Sequence, residues 1–257
     1  MTTEETIKKL KEMKLPAFAD GFRSMLQDPE TGKLEYPDVI GMLVDLEYDN
    51  RKSNSLTKLI KKADFEIPEA DIHDINYISG RKLDRDLIHR LASGQYLKEG
   101  YNVFITGATG CGKSYLACAL GMEACKQYKK VSYVRLPDLL LELSLIRHTD
   151  RYKKALQKYV TPQLLIFDEW MLMKPDETDK AVIYDLLSRR RRKSSTIFCS
   201  QYRSEGWREI LGTEDDTLAD AIIDRIIHDA YKINIEPLNP EKDISMREVY
   251  GLKKSHP

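Results

Sequence analysis

Two short stretches of this 257-residue chain carry the residue types that phosphate chemistry requires. The first is Gly107-Ala108-Thr109-Gly110-Cys111-Gly112-Lys113-Ser114, a G-x-x-x-x-G-K-S pattern. Its glycines let backbone N–H groups close around phosphate oxygens with no Cβ in the way. Lys113 brings a mobile positive charge to the β- and γ-phosphates, and the Ser114 hydroxyl is a ligand for Mg²⁺. Tyr115 follows directly and is counted with the loop as nucleotide-binding. The second stretch is Leu164-Leu165-Ile166-Phe167-Asp168-Glu169, an apolar run ending in two carboxylates. Asp168 would hold Mg²⁺ through water, and Glu169 would orient and activate an attacking water. A strand that merely ends in a solvated acidic turn is the competing interpretation. The phosphate loop upstream, in the right order, argues against it. The chemistry implied is Mg²⁺-dependent hydrolysis of ATP to ADP and phosphate.

These residues need a scaffold that brings them to one edge. Val103-Phe104-Ile105-Thr106 reads as a buried strand, and 112–127 as a helix with Leu116, Ala117, Leu120 and Ala124 on one face. Strand, loop, helix is the required setting, because the helix N-terminus adds partial positive charge. Strands are expected at 103–106, 131–135, 164–168, 196–200 and 232–235. Helices are expected between them, near 112–127, 137–146, 150–159, 178–192 and 215–229. This alternation predicts an α/β core, a parallel five-stranded sheet flanked by helices. Such sheets bind ligands at the carboxyl ends of their strands. Gln201 ends the run Thr196-Ile197-Phe198-Cys199-Ser200-Gln201. It can touch the attacking water or the γ-phosphate; an ordinary polar strand end fits the pattern too. Arg225 sits among the apolar residues of helix 215–229. Burying an unpaired guanidinium is costly. Either it pairs locally with Asp224 or Asp229, or it lies at a subunit edge and reaches a neighbour's nucleotide.

Ahead of this core, residues 1–65 read as a small helical module and 66–257 as the ATPase domain with its linker. Thr2 and Glu5 fit a capping box, and Pro16 suits the first turn of a second helix. A third helix is expected near Pro37, continuing or restarting through Leu56, Leu59 and Ile60. Residues 63–80 look like a linker. The module carries a basic run over residues 51–62, with Arg51, Lys52, Lys58, Lys61 and Lys62 and no acid. A solvated helix face and a DNA-backbone contact surface both fit it. A second run, residues 189–193, includes Arg190 and Arg191 at the end of a helix. Complementing the helix dipole explains part of it, and five consecutive charges suggest a DNA or intersubunit role as well.

Lys plus Arg and Asp plus Glu are both 41, so no bulk charge points to a polyanionic partner; any such surface must be local. No apolar run approaches a membrane span, and the N-terminus lacks a signal-peptide segment. A cytoplasmic protein with no membrane partner is expected. Cys111, Cys118, Cys125 and Cys199 form no C-x-x-C pair and read as small buried hydrophobes.

Taken together, these residues resemble the IstB-type transposition helper ATPases, relatives of the DnaC-type helicase loaders within the AAA+ class. The likeness spans nearly the whole chain. It rests on Leu10-Lys11-Glu12-Met13-Lys14-Leu15-Pro16-Ala17, the phosphate loop, Asp168-Glu169, Ser200-Gln201 with Trp207, Asp224-Arg225 and Ser245-Met246-Arg247. The resemblance implies Walker A and Walker B motifs, a first sensor at Gln201, an arginine finger at Arg225 and a second sensor at Arg247. Gln201 stands where the family commonly has Asn, and Asp243 replaces a usual Gly before the Ser-x-Arg group. Too few residues follow Ile235 for a full C-terminal lid. The resemblance further implies a homo-oligomer, ring or spiral, that assembles on double-stranded DNA, helps select the insertion site and stimulates a cognate transposase. The alternative is a DnaC-like replicative helicase loader. A metabolic nucleotide kinase fits less well, because no second acceptor pocket is evident.

Overall fold

The computed structural model describes residues 2–77, 80–212, 216–227 and 230–238. Met1–Lys58 and Leu59–Pro257 form two compact units. The first is built from α1 (Thr3–Glu12), α2 (Pro16–Gln27) and most of α3 (Tyr36–Ala63). The expected capping box opens α1: the Thr2 N–H donates to Glu5 Oε2 at 2.9 Å, and the Glu5 N–H donates back to Thr2 Oγ1 at 3.4 Å. Pro16 occupies the first turn of α2. That helix lacks a side-chain cap of its own; Glu47 of α3 supplies one, its Oε2 accepting from the Ala17 and Phe18 N–H groups at 3.0 and 3.2 Å. Gly21 permits close approach of α2 and α3, since a Cβ there would lie 2.7 Å from Leu46 Cδ1. The third helix does not restart near Leu56; α3 runs unbroken for 28 residues.

The second unit continues with β1 (Arg81–Lys82), α4 (Arg85–Ala92), α5 (Gln95–Glu99), β2 (Asn102–Gly107), α6 (Lys113–Lys126), β3 (Val131–Arg135), α7 (Leu136–Ile146) and α8 (Arg151–Val160). There follow β4 (Leu164–Asp168), α9 (Glu177–Arg190), β5 (Ser195–Ser200), α10 (Trp207–Leu211), α11 (Thr217–Ile227) and β6 (Ala230–Pro237). The sheet order is β1-β6-β2-β5-β4-β3. The five strands from β6 to β3 are parallel, as expected. A sixth, β1, was not anticipated; it pairs antiparallel with β6 through Arg81 and Lys82. Two charged residues carry no alternation for a pattern to detect, and the pairing uses backbone alone.

The parallel strands are buried on both faces, so they read as near-continuous apolar runs. Alternate residues serve opposite layers. Phe104, Leu165, Phe167 and Phe198 join the cluster that includes residues of α7, α8, α9, α10 and α11. Ile166 faces α6, where a Cβ on Gly121 would lie 2.9 Å from its Cδ1. Trp170 and Trp207 pack edge-on against Phe198 and Phe104, at centroid distances of 4.6 and 4.8 Å. Each such ring buries on the order of 200 Å², about 5 kcal/mol of apolar transfer. This clamps the segments after β4 and β5, the segments that carry the acidic pair and Gln201. Among the described residues no helix is long and apolar enough to cross a membrane.

Candidate functional site

The phosphate loop joins β2 to α6, and its backbone explains its composition. Gly107, Gly110 and Gly112 have φ of +152°, +80° and +101°. At Gly107 a Cβ would lie 2.5 Å from the Ile235 carbonyl oxygen and 2.8 Å from Cys111 Sγ, so only glycine fits. Gly112 is the N-cap of α6 and provides no side-chain cap. The first-turn N–H groups are left for an external acceptor, which is the property an anion site needs. Lys113 curls back, donating from Nζ to the Gly107 and Ala108 carbonyls at 2.8 and 2.7 Å. Tyr115 points the other way: its hydroxyl meets the Asp71 backbone at 3.3 Å. That contact ties α6 to the preceding segment; Ala108, Thr109, Cys111 and Ser114 complete the loop.

Two strands over, β4 delivers the acidic pair. Asp168 is 6% exposed. Its Oδ2 accepts from the Tyr133 hydroxyl at 2.5 Å and its Oδ1 from the Glu169 N–H at 2.8 Å. Burial, then the Asp168 charge, push the Tyr133 phenol up, so it stays a donor. Glu169 has a left-handed backbone, φ +54°, which turns its side chain out of the strand line. Both its carboxylate oxygens accept from Arg135, at 2.9 and 2.8 Å. The Arg135 guanidinium pKa is raised by that bond. Tyr133 and Arg135 were missed in the sequence. Their signal was available: both lie on an expected strand that Arg135 ends, and parallel pairing sets Arg135 opposite Asp168.

Between β2 and β4 lies β5, so Gln201, one residue past its end, emerges between loop and acidic pair. Gln201 is exposed, while Ser200 is buried and structural. The Ser200 hydroxyl donates to the Trp170 carbonyl at 2.8 Å and accepts from Trp207 Nε1 at 3.3 Å. Lys113, Ser114, Asp168, Glu169 and Gln201 therefore share the carboxyl edge of three adjacent strands. Among the described residues no cluster of three or more His, Cys, Asp or Glu could hold a metal alone. A Mg²⁺ would need Ser114, Asp168 and oxygens from a nucleotide, and the loop's glycine geometry fits that nucleotide. All four cysteines are free and buried. Burial pushes Cys118 and Cys125 up to about 12, which keeps them as thiols.

Arg225 lies at the opposite edge. It is beside Ile226, whose carbonyl accepts from Asn102 Nδ2 at the start of β2 at 3.3 Å. It is half-buried and stacks 4.1 Å from the Tyr184 ring centroid. It donates to Ser188 Oγ and the Tyr184 hydroxyl, both at 2.8 Å, and to the Ala221 carbonyl at 2.6 Å. The expected alternative, a pair with Asp224, is not formed: Asp224 meets Arg191 at 3.4 Å. Asp229 lies outside the described residues, as do Asp243, Ser245, Met246 and Arg247. With Arg191, Arg192, Glu99 and Asn102, Arg225 lines a pocket of about 300 Å³.

The two basic runs fare differently. Arg51, Lys52, Lys58, Lys61 and Lys62 are exposed. Arg191 is exposed too, but Arg190 is not, which corrects its assignment as a DNA contact. It is 2% exposed. Its guanidinium donates to Thr196 Oγ1 and to the carbonyls of Tyr159, Val160, Pro162 and Ser195, at 2.5 to 3.2 Å. The helix phase contained this: Ile183, Leu186, Leu187 and Arg190 share one face of α9.

Comparison with known proteins agrees with this architecture. A protein of Sinorhizobium fredii that carries the name of an insertion-sequence ATP-binding protein is 34% identical over 238 residues, 91% of this chain and 95% of that one. A counterpart from insertion sequence IS1162 of Pseudomonas fluorescens is 32% identical, covering 79% of this chain and 88% of its own. Among solved structures, DnaI superposes with TM-score 0.55 at 24% identity, over 66% of this chain and 90% of DnaI. The DnaC helicase loader gives 0.54 at 16%, over 65% and 97%. These likenesses show that the chain shares the fold of those two proteins. The family profile "IstB-like ATP binding protein" matches residues 8–244. The chain belongs to that family.

Proposed function

We propose that the chain is a Mg²⁺-dependent ATPase that assembles on double-stranded DNA, helps select an insertion site and stimulates a partner transposase. The observation that carries the reading is the convergence of Lys113, Ser114, Asp168, Glu169 and Gln201 on one sheet edge. Family membership and relatives named for insertion sequences support it.

In this mechanism the loop N–H groups and Lys113 hold the β- and γ-phosphates of ATP. Lys113 exchanges its two carbonyl partners for phosphate oxygens. Mg²⁺, held by Ser114 and by Asp168 through water, would neutralise charge developing on those oxygens. Glu169 accepts a proton from water as its oxygen attacks the γ-phosphorus, and the bond to the bridging oxygen breaks to release ADP and phosphate. Arg135 donates to both Glu169 carboxylate oxygens, so Glu169 must loosen that hold before an oxygen is free to take the proton of the attacking water. The Gln201 amide steadies the attacking water or the γ-phosphate. Arg225 is the finger offered to a neighbouring subunit's nucleotide, and Arg247 the second sensor. A homo-oligomer and a cytoplasmic location belong to the same reading. The helical part, expected over 1–65, is its DNA- and partner-binding module.

The test compares wild type, Glu169→Gln and Lys113→Ala in ATP binding and turnover. Glu169→Gln should keep binding and lose turnover, because only water activation is removed; Lys113→Ala should lose both. Equal turnover in wild type and Glu169→Gln would sink the assignment. Pull-down of the transposase with and without ATP tests the partner, and capture of a replicative helicase instead would favour a loader.

A further inference from the structure

We propose that a basic groove in the N-terminal helical unit cradles the phosphodiester backbone of duplex DNA. The proposal rests on the DNA-assembly reading above and names the surface within the unit that meets the backbone. Residues 1–58 hold nine Lys and Arg against eleven Asp and Glu, so the unit as a whole is acidic. Its cations are not spread evenly. Lys11, Lys14, Arg51 and Lys58 line one groove of about 490 Å³, with Asn50 and Asn54 among them. Two of these cations, Lys11 and Lys14, lie outside the basic run of 51–62. Lys52, inside that run, is not in the lining and sits over the Tyr48 ring at 4.5 Å.

Glu47 is the one carboxylate in the lining, and it is committed elsewhere. Its Oε2 caps the Ala17 and Phe18 N–H groups, and its Oε1 accepts from Arg51 Nε at 2.8 Å. Its side chain is 7% exposed, so it presents little negative charge to an arriving anion. The same ion pair builds the wall. Arg51 also donates from Nη2 to the Lys14 carbonyl at 2.7 Å, tying α3 to the turn between α1 and α2. Lys14 holds a left-handed backbone there, φ +60°. Lys11 pairs with Asp20 at 3.4 Å; Lys14 and Lys58 form no ion pair among the described residues.

Arg51 and Lys58 are two turns apart on one helix face, a rise of about 10.5 Å. Projected on the duplex axis, that spans about three phosphates of one strand, at roughly 3.4 Å of rise each. Between them the asparagine amides and Ser55 offer neutral polar groups. The lining contains no aromatic and no aliphatic side chain except Pro16. A protein partner would ordinarily find an apolar or aromatic anchor at the centre of its interface. Spaced cations with polar groups between them suit a backbone, where most protein–DNA hydrogen bonds go.

The experiment titrates the full-length chain, with ATP and Mg²⁺, into a fluorescein-labelled random-sequence duplex across a salt series. Lys14→Gln with Lys58→Gln should weaken binding about eightfold per lost contact near 0.1 M salt and flatten the log–log salt slope by about 0.9 per contact. Lys8→Gln with Lys9→Gln removes the same charge from α1 outside the groove and should bind like wild type. Lys14→Arg with Lys58→Arg should also bind like wild type, and turnover of ATP without DNA should be unchanged in all three. If the Lys14/Lys58 glutamine variant keeps wild-type affinity and slope, the groove assignment is wrong while DNA assembly stands. If wild type itself fails to bind duplex with ATP, both fall. A third result, loss of polyglutamate binding with duplex binding intact, would overturn the proposal in favour of an acidic protein segment.

Discussion

Residues 51–62 and 189–193 look alike as strings of positive charge, yet the fold treats them in opposite ways. The first run lies along the open side of α3, where its side chains reach solvent. The second ends α9 beside the starts of β5 and the α8–β4 connection, and its second member is drawn inside. Arg190 is spent on five acceptors, four of them backbone carbonyls. Burial lowers its pKa, but that ring of acceptors favours the charged form. A guanidinium has the planar fork to satisfy several carbonyls at once; an ammonium does not. Charge density in a sequence therefore says little about electrostatic surface until helix phase is known. One position decides between a surface cation and a structural strut.

The comparison can be broken most decisively at Arg190. Arg190→Ala should lower unfolding free energy by at least about 3 kcal/mol, since charged hydrogen bonds contribute roughly 1.5–3 kcal/mol each and the buried carbonyls at the end of α8 and in the α8–β4 connection lose their donor. Denaturant unfolding measures this. A loss under about 1 kcal/mol would mean that the strut is dispensable.

Glu47 sharpens the other side, because it organises the exposed run. The Arg51 hydrogen bond, with the Phe18 and Ala17 N–H groups, holds its pKa below the usual carboxylate value. A depressed folded pKa contributes stability that is present above the unfolded value, near 4.3, and is lost as pH falls through the folded one. Glu47→Gln should therefore melt below wild type at pH 7, by less than Arg190→Ala. The gap should close as the solution is acidified below about pH 4. A gap that persists in acid would show that the cap does not depend on the charge.

The smallest effect is expected one residue from the largest. Arg191 is exposed and meets Asp224 at 3.4 Å with both side chains 40% or more accessible. Arg191→Ala should cost no more than about 0.5 kcal/mol in the same unfolding assay. A loss matching that of Arg190→Ala would erase the contrast between adjacent arginines.

The phosphate loop was legible because its chemistry is local. Its glycines, lysine and serine act through contiguous backbone, so residue type and spacing carry the site. The acidic pair was legible because a buried parallel strand must end where its carboxylates emerge. Arg135 and Tyr133 were harder, because they meet Glu169 and Asp168 only through the register of β3 on β4. Likewise Gln201 comes between the loop and the acidic pair because β5 inserts between β2 and β4, against chain order. In the helical unit, the caps of α1 were readable from Thr2 and Glu5. The cap of α2 was not, for it arrives from Glu47, 30 residues on.

By itself the sequence determined the α/β class, the five parallel strands and the phosphate-binding chemistry, since hydrophobic period and glycine placement are properties of short stretches. Tertiary structure alone decided which cations face water, where Arg225 stands relative to the loop, and how Lys11 and Lys14 join Arg51 and Lys58 around one groove. Those outcomes depend on helix phase, sheet order and contacts between residues far apart in the chain. A side chain's surroundings follow from packing, and packing is settled by the whole fold rather than by neighbours in sequence.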